Sequence, residues 1–256
     1  MFTFETKART LEKLAGLVTR FRVPDLLFFA VDDWRKAPER WLDQVAERFG
    51  SRPVIVRSSA WDEDGSTWGQ AGQYGSVPGV RPDDRQAVST AVETVVASYA
   101  RSAVRSSGPD EVLVQEMLLE PDMSGVLFTH DLNTGAPYYV INYDDQSGRT
   151  DTVTSGEGEY ANRTLFVHRG ALDAVRSPRF RALVAAVSEL EEKTGNRFLD
   201  VEFGLDADCV PYLLQVRLIT TRASWLEGMA RRVDAALTGV QRFVRGRFGP
   251  LPDVRG

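Results

Sequence analysis

The stretch from Phe198 to Thr220 constrains this chain more than any other. Leu199, Val201, Phe203 and Leu205 alternate with Asp200, Glu202 and Gly204, and a second alternating run extends from Tyr212 to Thr220. Alternation with a period of two is the pattern of a strand that turns one face to a core and the other away from it. Asp206-Ala207-Asp208-Cys209 between the runs is polar and short, so the two are expected to close as a hairpin. In a symmetric hairpin Asp200 stands opposite Arg217 and Glu202 opposite Gln215. Directly opposed residues have Cβ atoms roughly 4.5 to 5.5 Å apart, which gathers two carboxylates, a carboxamide and a guanidinium into one patch.

A hard cation such as Mg²⁺ is held by one or two protein carboxylates together with substrate phosphate oxygens. An arginine beside it both orients a carboxylate and binds phosphate bidentately. The patch therefore reads as a metal-triphosphate site, or else as a solvated strand face with an ordinary cross-strand salt bridge. Two further segments offer cations. Val54-Ile55-Val56 is a short run of buried-strand type, and Arg57-Ser58-Ser59-Ala60 follows at its end, where sheets of related architecture meet their ligands. Residues 4 to 20 place Leu11, Leu14, Ala15 and Val18 at helical spacing, with Thr3 or Thr6 as N-cap, and put Lys7 in the first turn. Unpaired N–H groups and a partial positive charge there favour an anion, although a surface lysine fits the same pattern. Lysine is scarce: Lys7, Lys13, Lys36 and Lys193 are the only four. The glycine-rich segment from Gly69 to Val77 is followed by no Gly-Lys-Ser/Thr and is not a Walker A loop.

Taken together, these motifs resemble the nucleotide-binding domain of the phosphoenolpyruvate synthase and pyruvate, phosphate dikinase family. Its pattern of Asp-x-Glu, a hairpin and Leu-Gln-x-Arg-Pro-x-Thr is met by Asp200, Glu202 and Leu214 to Thr220, with Leu218 in place of the proline. Its Val-x-Val-Arg-Ser-Ser-Ala is met by residues 54 to 60, and its Ala-Gly-Gln by Ala71-Gly72-Gln73. Glu5-Thr6-Lys7-Ala8-Arg9-Thr10-Leu11 keeps the lysine of Gly-Gly-Lys-Ala-x-x-Leu but neither glycine, and with them loses the close backbone approach that glycine permits. The resemblance implies that Glu202 and Gln215 ligate Mg²⁺ with Asp200 in support, and that Lys7, Arg57 and Arg217 meet ATP phosphates. It further implies that Gly72 and Gln73 belong to a flap over those phosphates and that Arg101 approaches them. Val114-Gln115-Glu116-Met117 resembles the hinge strand whose backbone reads the adenine edge, and reads equally as a simple core strand. The segment from Val140 to Gly156 lacks the Trp-Gly-Leu-Gly-Glu of phosphoenolpyruvate synthases and looks more like the branch that includes L-glutamine kinases of capsule biosynthesis. Asp144, Asp145 and Arg149 are then either near the phosphates or only turn formers.

The fold implied is α+β, an ATP-grasp fold of two lobes that clamp nucleotide, with a C-terminal helical appendage. The expected division is an N-terminal lobe over 1–108, a C-terminal lobe with the hairpin over 109–221, and a basic helical tail over 222–256. Ser106-Ser107-Gly108-Pro109-Asp110 marks the first boundary. The implied activity is phosphoryl or pyrophosphoryl transfer from Mg-ATP to a histidine on a separate protein or another domain, and then to a small-molecule acceptor. His130 and His168 lack the family's Thr-Ser-His setting and read as structural. An ATP-grasp ligase that forms an acyl phosphate and a silent ATP-binding regulatory module are the alternatives. A net charge of −5 argues against nucleic acid as a partner, and a single cysteine excludes an intrachain disulfide. With no apolar run of membrane-spanning length and no secretory pattern, a cytoplasmic location is the default expectation.

Overall fold

A computed structural model of the chain describes residues 2–60, 75–99, 108–150, 163–220 and 225–248. The first helix, α1 (Lys7–Ala15), is capped by Thr6, whose hydroxyl accepts from the Arg9 N–H. Strand β1 (Leu26–Ala30) follows, and then two helices, α2 (Val31–Lys36) and α3 (Pro38–Phe49). The sequence pattern predicts one continuous helix from Asp33 to Phe49. Proline disfavours helical backbone in the residue before it, and Ala37 accordingly leaves the helix at φ −148°, ψ 63°. Of the residues the spacing turns inward, Trp34, Leu42, Val45 and Phe49 are buried, and Trp41 is partly buried, stacked on Phe29.

Strands β2 (Val54–Ser59) and β3 (Ser76–Val80), helix α4 (Arg85–Tyr99) and strand β4 (Glu111–Glu116) complete the first layer. Its four-stranded sheet has the order β1-β4-β2-β3, with all three pairings antiparallel. Strand β3 occupies an edge that the glycine-rich reading of residues 69–77 does not anticipate. On the outer face Val54, Val56, Val112 and Val114 pack with Val88, Val92 and Val95 of α4 and with Phe49 of α3.

The second sheet has the order β7-β6-β5-β8-β9, again antiparallel throughout. Its strands are β5 (Met123–Phe128), β6 (Tyr138–Asp144), β7 (Arg163–His168), β8 (Leu199–Leu205) and β9 (Pro211–Leu218). Helix α5 (Pro178–Thr194) covers one face and ends at Gly195, whose φ of +66° is the left-handed cap that glycine adopts without a Cβ penalty. Leu183, Val187 and Leu190 of α5 pack with Leu127, Ile141, Val201 and Phe203. Ala8, Leu11 and Leu14 of α1 belong to this same cluster, together with Leu113 of β4. Each core thus draws residues from both sides of position 108: α1 joins the second core, and β4 is an internal strand of the first sheet. The last helix, α6 (Met229–Phe248), begins after a turn at 227–228 and lies within the 222–256 span expected for the helical tail. Trp225 anchors its start, donating from Nε1 to the Leu132 carbonyl at 2.9 Å and packing on His130 and Phe198. No helix among the described residues is long and apolar enough to cross a membrane.

Strand β5 is gripped closely at Gly125. A Cβ there would lie 2.0 Å from the Asn142 carbonyl oxygen and 2.9 Å from the Tyr143 Cα, both backbone atoms of the paired strand. Gly125→Ala is expected to cost about 1–3 kcal/mol or more through forced separation of β5 from β6. Urea unfolding checks this, and an unchanged midpoint would contradict the packing described.

Candidate nucleotide and metal site

The alternation of β8 and β9 puts Leu199, Val201, Phe203 and Val216 into the core and leaves Asp200, Glu202, Gln215 and Arg217 on the opposite face. The pairing is the one read from the sequence: Asp200 stands opposite Arg217 and Glu202 opposite Gln215. The register then shifts between Glu202 and Phe203, where Leu214 is the extra residue of a bulge. The turn comes later than these pairs, so the bulge absorbs its length without disturbing them.

Arg217 donates from Nε to Asp200 Oδ2 at 2.6 Å. The other Asp200 oxygen, Oδ1, is buried and accepts no hydrogen bond. Burial pushes the Asp200 carboxyl above its ordinary value, and Arg217 offsets this only in part. Glu202 moves the other way. Burial alone would raise it, but the positive charges of Arg57, Lys7 and Arg217 prevail and hold it below the ordinary range. Arg57 comes from β2 of the first sheet and donates from Nη2 to Glu202 Oε2 at 3.1 Å, across 145 residues of chain. Both side chains of that pair are 17% exposed.

Lys7 is the first residue of α1 and is buried, 5% exposed. Its position follows from a polar network that pins the start of α1 to the ends of β2 and β4. The Ala8 N–H donates to Ser59 Oγ at 2.9 Å, Thr6 Oγ1 donates to Glu111 Oε2 at 2.6 Å, and Arg9 Nε donates to Glu111 Oε1 at 2.7 Å. Tyr99 closes the network by accepting from the Ser59 N–H and donating to the Glu111 carbonyl. Sequence reasoning passes over Glu111. Its one signal is a carboxylate opening a strand, Glu111–Glu116, that is otherwise apolar up to Gln115.

The structure therefore brings Lys7, Arg57, Asp200, Glu202, Gln215 and Arg217 to one place between the two sheets. Gln115 lies apart on β4, buried, with its amide nitrogen unpaired. Glu116 accepts from Arg52 Nη1 at 2.7 Å, and the N–H groups of Glu116 and Met117 donate to the carbonyls of Asp25 and Pro53. Those two N–H groups are engaged within the first layer. Asp144 accepts from the N–H groups of Gln146 and Ser147, the arrangement of a turn former, whereas Asp145 forms ion pairs with Arg163 and Arg179, 18 and 34 residues away. His130 stacks on Trp225 and lies tilted against Phe198, and His168 accepts from the Gly170 N–H and lies 3.5 Å from Asp234. Gly72, Gln73 and Arg101 lie outside the described residues.

The opposed shifts of the two carboxylates have opposite consequences for stability. Glu202, with its folded value lowered, stabilises the fold above the ordinary glutamate range, and this is lost as pH falls through the lowered value. Asp200, with its folded value raised, favours the fold at low pH, and this is lost as pH rises through the raised value. Relative to the wild type, Glu202→Gln should therefore be most destabilised near neutrality, whereas Asp200→Asn should gain relative stability as pH rises. Urea unfolding across the acid range tests both; parallel trends for the two variants would refute the assignment.

Residues 31–148, a little under half of the chain, match the family model described as pyruvate phosphate dikinase, AMP/ATP-binding domain. The chain is 30% identical over 209 residues to the prodigiosin synthesizing transferase PigC of Serratia marcescens, which takes in 66% of this chain and 23% of that relative. It thus spans about a quarter of the relative's length. Among solved structures it is similar to PH1788 from Pyrococcus horikoshii, at 14% identity and a TM-score of 0.49, over 82% of this chain and 88% of that one. It is also similar to D-alanyl-alanine synthetase A from Vibrio cholerae, at 13% identity and a TM-score of 0.46, over 90% of this chain and 59% of that one. The chain has the α+β, two-sheet architecture expected of an ATP-grasp fold, and over residues 31–148 it is similar to the AMP/ATP-binding domain of pyruvate phosphate dikinase.

Proposed function

We propose that the chain is the ATP-binding part of a phosphotransferase, and that it positions Mg-ATP for phosphoryl or pyrophosphoryl transfer. One observation carries this reading: three cations from three separate elements, Lys7, Arg57 and Arg217, converge on the two carboxylates Asp200 and Glu202. The excess of one positive charge, on side chains held by the fold, suits a polyphosphate. Phosphoryl transfer demands mainly positioning and neutralisation of charge, which such a cluster supplies.

The donor set also fits Mg²⁺. Glu202, Gln215 and the unpaired Oδ1 of Asp200 are hard oxygen donors on one face. Among the described residues no group of three or more His, Cys, Asp or Glu could hold a metal ion. A cation held by a few protein oxygens and completed by phosphate is the usual form of a Mg-nucleotide site. Glu202, Gln215 and Asp200 would hold the ion, which when bound would neutralise phosphate charge. Lys7 and Arg57 would bind and orient the phosphates, and Arg217 would hold Asp200 in place while facing them.

The match to the pyruvate phosphate dikinase domain supports AMP as a product, and the transferase named among the relatives supports transfer over ligation. The phosphoryl acceptor in this reading is a histidine on a separate protein or domain, which hands the group to a small metabolite. Calorimetric titration of ATP with and without Mg²⁺, followed by analysis for AMP and ADP after addition of a histidine-carrier protein, tests it. Binding of ATP that Mg²⁺ strengthens, with AMP formed only when Mg²⁺ and the carrier are both present, is expected, whereas ADP formed with a coupled amide product would replace the reading with a ligase. Glu202→Ala and Arg57→Ala should each weaken Mg-ATP binding about ten- to hundredfold, the effect of losing one charge-assisted contact. Unchanged affinity in both would remove the site assignment.

A further inference from the structure

The carboxylate best placed to hold a cation is already neutralised by the protein. Glu202 Oε2 accepts from Arg57 Nη2 at 3.1 Å, and the charges of Lys7 and Arg217 act on the same carboxylate. Asp200 Oδ2 is engaged by Arg217 at 2.6 Å. A divalent cation arriving alone would meet a cluster with more positive than negative charge, and would have to sit beside Arg57 while competing with it for Glu202. Repulsion of that kind between close, partly buried charges is only weakly screened. A polyphosphate meets the reverse situation. The cluster attracts it, and the planar guanidinium of Arg57 exchanges a carboxylate for a phosphate without loss of hydrogen-bond geometry.

We propose that Arg57 is the resident counter-ion of Glu202 and sets the order of assembly: nucleotide phosphates draw Arg57 from Glu202, and only then is the carboxylate open to the metal. This rests on the nucleotide reading above. It assigns Arg57 two partners in succession and makes the cation site dependent on bound nucleotide. Lys7 and Arg217 stay in place through the exchange, because α1 is pinned through Glu111 and Ser59 and Arg217 is paired with Asp200.

The test uses the whole chain and Mn²⁺ as a spectroscopic stand-in for Mg²⁺, with free Mn²⁺ measured by electron paramagnetic resonance. The wild type should take up Mn²⁺ in the presence of ADP and not in its absence, and should bind ADP in excess EDTA. Arg57→Met should bind Mn²⁺ without nucleotide at least about tenfold more tightly than the wild type, since the competing charge is gone. Glu202→Gln added to Arg57→Met should abolish that gain. Nucleotide-free wild type that binds Mn²⁺ as tightly as the ADP-loaded form would overturn the proposal, as would an Arg57→Met variant no better than the wild type. If circular dichroism shows Arg57→Met to be unfolded, the comparison of wild type with and without ADP decides alone. Failure of ADP and ATP to bind with or without Mg²⁺ would sink the nucleotide reading itself, and the ordering with it.

Discussion

The register of the β8–β9 hairpin is the constraint on which the site depends. Because side chains alternate strictly along a strand, a slip of one residue would move Val201 and Phe203 out of the core and Asp200 and Glu202 into it. Burying unpaired carboxylates in place of two large apolar groups is prohibitive, so the core itself selects the register that faces Asp200 with Arg217 and Glu202 with Gln215. The bulge at Leu214 lies beyond these pairs and leaves them intact.

A second constraint comes from α1. It packs its apolar side into the second core through Ala8, Leu11 and Leu14, while its first turn is hydrogen-bonded to β2 and β4 of the first sheet. One short helix therefore fixes the two layers relative to each other and delivers Lys7 to the seam. The Arg57–Glu202 pair crosses the same seam. Structural coupling and ligand chemistry thus share residues: the polar contacts that hold the layers together are the groups a polyphosphate would rearrange. An ion pair so placed is a weak source of net stability, because desolvation offsets most of its attraction. Its value lies in presenting charge where water is largely excluded.

Local pattern carried much of the architecture. The helical spacing of Leu11 and Leu14, the alternation in β8 and β9, the end of α5 at Gly195 and the apolar spacing in α4 all rest on interactions within a few residues and appear as the pattern requires, although α1 ends at Ala15 and leaves Val18 of the expected 4–20 span outside it. Where the pattern misled, a tertiary or backbone term intervened. Helical periodicity runs through Ala37 and Pro38, yet the backbone restriction before proline divides the segment into α2 and α3. Strand β3 has weak alternation and contains Pro78 and Gly79, so only its pairing with β2 makes it a strand. Glu111 has no local pattern at all, since its three partners, Thr6, Arg9 and Tyr99, come from distant helices.

By itself the sequence determined which residues alternate, where the hairpin turns, and that Asp200, Glu202, Gln215 and Arg217 share one face, because these follow from period-two geometry and directly opposed pairing. The tertiary structure alone decided that Arg57 reaches Glu202, that Lys7 is buried beside them, and that the two carboxylates shift in opposite directions. Those outcomes depend on burial and on distances between elements separated by 145 residues or more, and neither quantity is written in any local pattern.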